Sequence, residues 1–172
     1  MTHEVTPPPT LDDRLDLMAQ GIRQLAARRA TGALAEIRRL DVDCPIAPAF
    51  HELLAEAAPN ADIRRFARVA QVMALKPDGL RRKPLGAVLR AIGFPETRLA
   101  MLLNARGPTL DDLVRRAARR IALSDEPMPY RDLGRLIVLR DPSDARDDLR
   151  IRIARDFQRA ARKSDHADAA TA

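Results

Sequence analysis

The chain has 172 residues and a formal net charge of +6, and its 46% hydrophobic and 31% charged residues suit one or two folded domains rather than general disorder. Its single cysteine excludes an internal disulfide, and its aromatic residues (one Tyr, four Phe, no Trp) are too few for a row of platforms that stack on bases. The start is polar and Pro-rich rather than a signal peptide, and no apolar run approaches the roughly 20 residues that span a bilayer, so we expect a cytoplasmic protein.

The first part of the chain is predicted to be a flexible arm (residues 1–10) followed by an N-terminal helical half (residues 11–75). Thr10 before Leu11 and two aspartates is typical of a helix start. Apolar residues then recur at spacings of three and four, and we expect Ile63 and Phe66 to be buried in the last of these helices. The predicted helices of this half cover about residues 11–29, 33–40, 49–57 and 62–75.

A basic linker is predicted at residues 76–83, KPDGLRRK, because Pro77 and Gly79 disfavour a regular element and the charges favour solvent. A C-terminal helical half (residues 84–163) and a disordered tail (residues 164–172) follow. The pattern Thr-x-x-Asp predicts that Thr109 caps a helix by bonding the amide of Asp112. The predicted helices of this half cover about residues 85–91, 96–105, 109–123, 130–139 and 144–163. The predicted fold is therefore all-α, a compact bundle of about eight or nine helices in two halves.

Positive charge is concentrated in the middle of the chain. The segment from Asn60 to Ile121 contains 14 Arg or Lys and five Asp or Glu, a net of +9, whereas the rest of the chain sums to −3. Arg accounts for 27 of the 30 basic residues, and its guanidinium can contact two phosphate oxygens at once. A concentrated field of this kind indicates a polyanionic partner.

The helix predicted at residues 109–123 separates its apolar and basic residues. Its apolar residues form one stripe, and its four arginines occupy the opposite, solvent-facing surface. Asp111 and Asp112 lie four residues before Arg115 and Arg116 and are expected to pair with them, which leaves Arg119 and Arg120 without a local acid. A solvated charged face is the structural alternative to a binding surface. The pair Arg38-Arg39 and the run Arg81-Arg82-Lys83 are further candidates for phosphate contact.

Signals of catalysis are weak. The three histidines are scattered, no Cys/His spacing fits zinc, and no Gly-rich phosphate loop is present. The aspartate pairs each open a helix, where acids are expected without a catalytic role. We therefore expect no catalytic residue, no metal and no cofactor, and any nucleic-acid contact should be made through the backbone and be sensitive to salt.

Several segments in order resemble the CasB family, the small subunit of the type I-E CRISPR Cascade complex. They are ALAEIRRL with APAFHELL, RKPLGAVLRAIG, RLAMLLNARGPTLDDLVRRAARRI, PMPYRDLGRLIVL and DDLRIRIARDFQRA, and together they span about Gly32 to Ala161. This chain departs from the family at Tyr130, Leu139 and Ile153, where members often carry Trp.

The resemblance implies a non-catalytic role in antiviral defence. It implies a two-part helical protein that self-associates, two or so copies lining the belly of an RNA-guided complex beside the backbone and large subunits. It also implies contact with guide RNA and target DNA, and a role in holding the R-loop open, including the displaced DNA strand. By matching position, Arg39 falls at the family's basic pair, and Arg98, Arg106, Arg116 and Arg119 fall in its basic central helices.

The residues and the resemblance together define the predicted nucleic-acid-binding set. It consists of Arg38, Arg39, Arg81, Arg82, Lys83, Arg98, Arg106, Arg115, Arg116, Arg119 and Arg120. Two other readings of the sequence remain open at this stage. One is a stand-alone helical DNA-binding regulator with a helix-turn-helix within Tyr130 to Phe157, against which the acids from Asp141 to Asp148 argue. The other is a helical scaffold whose arginines bind acidic protein partners.

Overall fold

The structure is a computed structural model that describes residues 8–139 and 141–171, with side chains described in the last helix through Lys163. The described residues form nine α-helices and two short strands, 72% helix and 3% strand, which confirms the predicted all-α class. The helices are α1 (Leu11–Ala27), α2 (Thr31–Arg39), α3 (Pro48–Ala57), α4 (Ile63–Ala74), α5 (Leu85–Ala91), α6 (Glu96–Asn104), α7 (Gly107–Ala122), α8 (Tyr130–Val138) and α9 (Asp144–Thr171), and the strands are β1 (Leu80–Arg81) and β2 (Met128–Pro129).

The first helix begins as the sequence predicts. The Thr10 hydroxyl accepts a hydrogen bond from the amide of Asp13 (3.2 Å), and the Asp13 carboxylate accepts one from the amide of Thr10 (2.9 Å). This reciprocal capping box satisfies two backbone donors at the start of α1. α1 then packs against α3, α4 and α8, so the N-terminal helix contacts helices from both sides of residues 76–83.

One continuous apolar core joins the helices on both sides of residues 76–83. Phe66 and Met73 of α4 are buried with Leu133 of α8, and α4 also packs against α2 and α7. Ile63 is 36% exposed, so its predicted burial is wrong; as the first residue of α4 it lies at the end of the helix. The division into two halves at residues 76–83 stays a prediction.

The predicted linker is more ordered than its composition suggests. Pro77–Gly79 form a single 3-10 turn, and Leu80 is fully buried where it pairs in parallel with Met128 of β2. The Lys76 ammonium donates to the carbonyl of Glu126 at 2.8 Å. Arg81, Arg82 and Lys83 are exposed as expected, but Lys76, the buried Leu80 and the strand pairing fasten this segment to the rest of the protein.

The closest helix packing in the molecule involves α5 and α9. A Cβ at Gly86 would lie 2.1 Å from the carbonyl oxygen of Ile153 and 2.6 Å from the amide nitrogen of Phe157. Only glycine fits this approach, which explains why a glycine stands inside α5 despite its low helix propensity. α5 ends at Ala91, and Gly93 follows its C-cap residue Ile92 with a φ of +62°, a conformation that other residues rarely adopt.

The predicted start of α7 is wrong by two residues. α7 begins at Gly107, with Arg106 as the N-cap residue, and Thr109 makes no capping hydrogen bond. The reason is Pro108, which is suited to the first helical turn because the amide it lacks has no acceptor there. The pair Gly107-Pro108, which lies between the predicted helices 96–105 and 109–123, thus belongs to the second of them.

The structure describes the two ends of the chain to different extents. Residues 1–7 of the predicted flexible arm lie outside the described residues. α9 continues to Thr171, past the predicted helix end at Lys163, through a stretch rich in alanine, which has the highest helix propensity. Over the described chain, no helix is both long and apolar enough to cross a membrane.

Candidate nucleic-acid interface

α7 separates its apolar and basic residues as the sequence predicts. Its buried residues include Leu110, Val114 and Ile121, all fully buried. Its four arginines are all exposed, on the side of the helix away from the core. They are Arg115, Arg116, Arg119 and Arg120.

The four arginines form two rows rather than one face. Residues four apart lie one above the other on a helix, so Arg115 aligns with Arg119 and Arg116 with Arg120. Only Arg116 and Arg120 line the groove between α7 and α6, where Arg98 of α6 joins them. The structure therefore brings together three members of the predicted set from two helices, and the row of Arg115 and Arg119 lies beside them.

The two aspartates of α7 do not pair as predicted. Asp111 is buried and forms an ion pair with Arg68 of α4, with 3.2 Å between Asp111 Oδ2 and Arg68 Nε. Asp112 pairs with Arg115 at 3.2 Å, three residues away instead of four. No ion pair of Arg116 is found among the described residues, so that arginine is less neutralised than the sequence suggested.

The arginines around the groove differ in how firmly they are held. Arg120 Nη2 donates to the carbonyls of Ile92 (3.4 Å) and Gly93 (3.3 Å), and its guanidinium carbon lies 5.8 Å from the centroid of the Phe94 ring. Arg98 and Arg116 are exposed and have no hydrogen-bond or ion-pair partner within the described part of the chain. Arg120 is thus held in place at the wall of the groove, whereas Arg98 and Arg116 have no such contacts within the described residues.

The floor of this groove is apolar, and the groove has a volume of about 290 Å³. The side chain of Met101 is 60% exposed, although methionine is among the residues most often buried in folded proteins. None of the groove-lining residues is acidic. The floor consists of Phe94, Met101, Leu102, Leu113 and Ala117.

Arg106 lies apart from this groove, in a second depression between α6 and α9. It shares that depression with Arg146 and Arg150 of α9, two residues that sequence reasoning missed. Burial lowers the pKa of the Arg150 guanidinium below its ordinary value, and the nearby charges of Arg146 and Arg106 add to that effect. No periodic signal could have found this cluster, because it depends on how two distant helices cross.

The pair Arg38-Arg39 takes part in the fold. Arg38 Nε donates to the carbonyl of Ala74 at 2.7 Å, where it binds the C-terminal end of α4, and Arg39 Nε donates to Ala35 in its own helix at 3.3 Å. Cations are stabilising at helix C-termini, so this arrangement gives Arg38 a structural role.

The run at residues 81–83 is also held by intramolecular contacts. Arg81 donates to the carbonyl of Leu80 at 2.8 Å, and Lys83 pairs with Glu126 at 2.7 Å. Arg82 pairs with Asp16 of α1 at 2.5 Å, a contact across 66 residues that no local sequence pattern predicts. These three side chains remain exposed, but a polyanion would have to compete with their present partners.

Asp16 is the centre of the ion-pair network that binds Arg82. Its carboxylate accepts hydrogen bonds from Arg131 Nε (2.8 Å) and from the Tyr130 hydroxyl (2.7 Å), both in α8. These bonds lower the pKa of Asp16 to about 2, and the bond from Arg131 has the largest effect. Together they outweigh partial burial, which raises the pKa. Asp12, one turn earlier, binds Arg131 and Arg135 in the same way, so this network fastens α1 to α8.

The structure offers no clear catalytic arrangement. Across residues 8–139 and 141–163, no group of His, Cys, Asp and Glu side chains is placed to hold a metal ion. His51 Nε2 bonds the carbonyl of Pro45 at 2.8 Å in an exposed position. His3 and His166 lie outside the residues whose side chains are described.

A family model of CRISPR-associated protein Cse2 matches residues 33–157 of the chain, from α2 into α9. The match includes the α6–α7 groove and every residue of the predicted binding set. No curated protein and no solved structure matches the chain significantly.

Proposed function

Because the chain belongs to the Cse2 family, the small subunits of the type I-E Cascade complex, we propose that its part in CRISPR interference is to hold the R-loop open. It does so through contacts of its arginines with nucleic-acid backbone, including the displaced DNA strand. Members of this family are structural subunits and are generally not catalytic.

One observation carries this proposal. Arg98, Arg116 and Arg119 are exposed on two adjacent helices and have no ion-pair partner among the described residues. Like-charged side chains four residues apart, such as Arg115 and Arg119, repel each other slightly and do not stabilise a helix. An anionic partner relieves that repulsion and supplies the missing hydrogen-bond acceptors.

The remaining members of the predicted set have a secondary place in the proposal. Arg115 and Arg120 belong to the same surface, although each has an intramolecular contact. Arg106 extends the cationic surface towards α9. We assign weaker nucleic-acid contacts to the residues whose side chains already make intramolecular bonds, namely Arg38, Arg39, Arg81, Arg82 and Lys83.

The energetics of the task suit such a surface. The exchange of a DNA duplex for a guide–target heteroduplex is nearly balanced in base-pair energy, so modest backbone contacts are enough to shift it. Sequence specificity comes from pairing with the guide, and the protein surface needs only to bind phosphate. Family membership implies association with the Cascade complex, and we assign the contacts to its backbone and large subunits, to guide RNA and target DNA, and to a second copy of the chain.

The test is a double substitution, Arg116→Ala with Arg119→Ala, in a reassembled Cascade complex. Each lost phosphate contact should lower the slope of log affinity against log salt by about 0.7 for a single strand or about 0.9 for a duplex. The double variant should therefore bind target DNA about 25-fold more weakly at 0.1 M salt, with the slope reduced by about 1.4, if both residues contact a displaced strand.

A matched control removes the same charge elsewhere. Arg28→Ala with Arg64→Ala changes two exposed arginines in elements that do not form the groove, and it should leave both affinity and slope unchanged. The proposal is wrong if the α7 variant keeps wild-type affinity and slope, or if the control variant loses as much.

A further inference from the structure

The α6–α7 groove contains a feature that phosphate binding alone does not require. Phosphate oxygens gain nothing from a thioether or a phenyl ring, yet Met101 and Phe94 lie within a ring of three arginines. An apolar groove with a charged rim is a common mark of a ligand or partner site. The ligand that fits must be apolar on the groove side and anionic at its edges.

From this combination we infer that the groove takes one unstacked base of a single-stranded nucleic acid, while Arg98 and Arg116 hold the phosphates beside it. The inference rests on the proposed function and adds a second mode of contact to it. Single strands are commonly bound by such a combination, with bases against flat side chains and phosphates in a cationic channel.

The difference between the arginines supports a division of roles. Arg120 is fixed by two backbone carbonyls and lies over the Phe94 ring, so its guanidinium is positioned before any ligand arrives. A guanidinium plane is a surface on which a base can stack. Arg98 and Arg116 have no such restraints and are able to follow the phosphates of a flexible strand.

The dimensions of the groove select one base. Its volume of about 290 Å³ is at the lower end of the range for small-molecule sites, which leaves room for one ring system rather than a stacked run. An acidic protein segment could also pair with the arginines. To fill the groove as well, it would need an apolar side chain placed between two carboxylates. Every nucleotide carries the required flat ring and anion together.

The test compares two oligonucleotides of equal length and charge bound to the full chain at low salt, one of thymidylate and one of abasic deoxyribose phosphate. Stacking of a base on a flat side chain strengthens binding by about five-fold to 150-fold, so the thymidylate strand should bind more tightly by a factor in that range. Met101→Ala, which removes the apolar side chain beside the stacked base, should lower the ratio while abasic binding stays unchanged. Ile63→Ala, at an exposed apolar residue that begins α4 and lines neither depression, is the matched control and should leave the ratio as it is.

The possible outcomes separate this inference from the proposed function. Equal affinity for the two strands, with binding still lost in Arg116→Ala, overturns the base site and leaves phosphate binding in place. A wild-type ratio in Met101→Ala also overturns it. No binding of either strand contradicts the nucleic-acid role of the face and the base site with it. If Met101→Ala instead weakens incorporation into Cascade without affecting DNA, the groove is a protein contact.

Discussion

Lowering the pH should weaken the attachment of α1 to α8 through one carboxylate, that of Asp16. Its pKa falls from 3.8 to about 2 in the folded protein because it accepts hydrogen bonds from Arg131 and Tyr130. A group whose folded-state pKa is depressed stabilises the fold above its unfolded pKa, and that contribution is lost as the pH falls through the folded value. The side chain is 21% exposed, so solvent screens it only partly.

The magnitude follows from the shift. At about 1.4 kcal/mol per pKa unit, Asp16 stabilises the folded state by about 2 kcal/mol at pH 7. The linkage relation reduces this to about 1 kcal/mol at pH 3 and to less than about 0.5 kcal/mol at pH 2. Asp16→Asn should therefore be less stable than wild type by about 2 kcal/mol at neutral pH, and the two proteins should converge in acid.

Urea unfolding at several pH values from 7 to 2 measures this difference directly. Asp125→Asn is the matched control, since Asp125 is exposed and has no ion pair or side-chain hydrogen bond within the described residues, and its curve should run parallel to wild type. A stability gap between Asp16→Asn and wild type that stays constant across the pH range would refute the assignment of the low pKa to this carboxylate.

Two further predictions concern packing and the core ion pair. Gly86→Ala should lower the free energy of unfolding by about 3 kcal/mol or more, because the new Cβ meets backbone atoms of α9. Gly32→Ala is the control, since a Cβ there would have no neighbouring atom within 4 Å, and it should be neutral or stabilising by up to about 1 kcal/mol. Thermal or urea unfolding measures both variants. Asp111→Asn should lower the free energy of unfolding by about 2 kcal/mol, because the buried side chain loses its charged bond to Arg68, which is itself partly exposed to solvent. Asp112→Asn, which breaks an exposed pair, should lower it by less than about 1 kcal/mol. Similar losses for the two variants in urea unfolding would contradict this reading.

Much of the fold was predictable from local pattern. Capping chemistry at Thr10 and the spacing of apolar residues located α1, and the same spacing located α5 and α8 to within a residue or two. The errors have physical causes. Thr109 carries a valid capping pattern, but Pro108 competes for the same helix start and wins because it is suited to the first turn. Local sequence patterns do not show which of two helix-start residues, one position apart, determines where the helix begins.

The candidate site was predictable only in part, because helical phasing gives the direction of a side chain but not its partner. Phasing placed Arg116 and Arg119 on the solvent side, as the structure has them. It could not show that Asp111 turns to Arg68 of another helix, nor that Arg82 binds an acid 66 residues away. It also gave no sign of the groove at Met101, which exists only because α6 and α7 lie side by side.

Pairing, rather than charge count, decides where this protein is able to bind a polyanion. The segment from residue 60 to 121 holds 14 basic residues, but several of them serve the fold. Arg65 binds Asp62 and Asp141, for example, and Lys83 binds Glu126. A phosphate must displace such a partner before it gains a contact, whereas Arg116 has no partner in the described chain to give up. The net cost of binding is therefore lowest on α6 and α7, so a strand drawn to the whole basic segment by its field should settle on that surface.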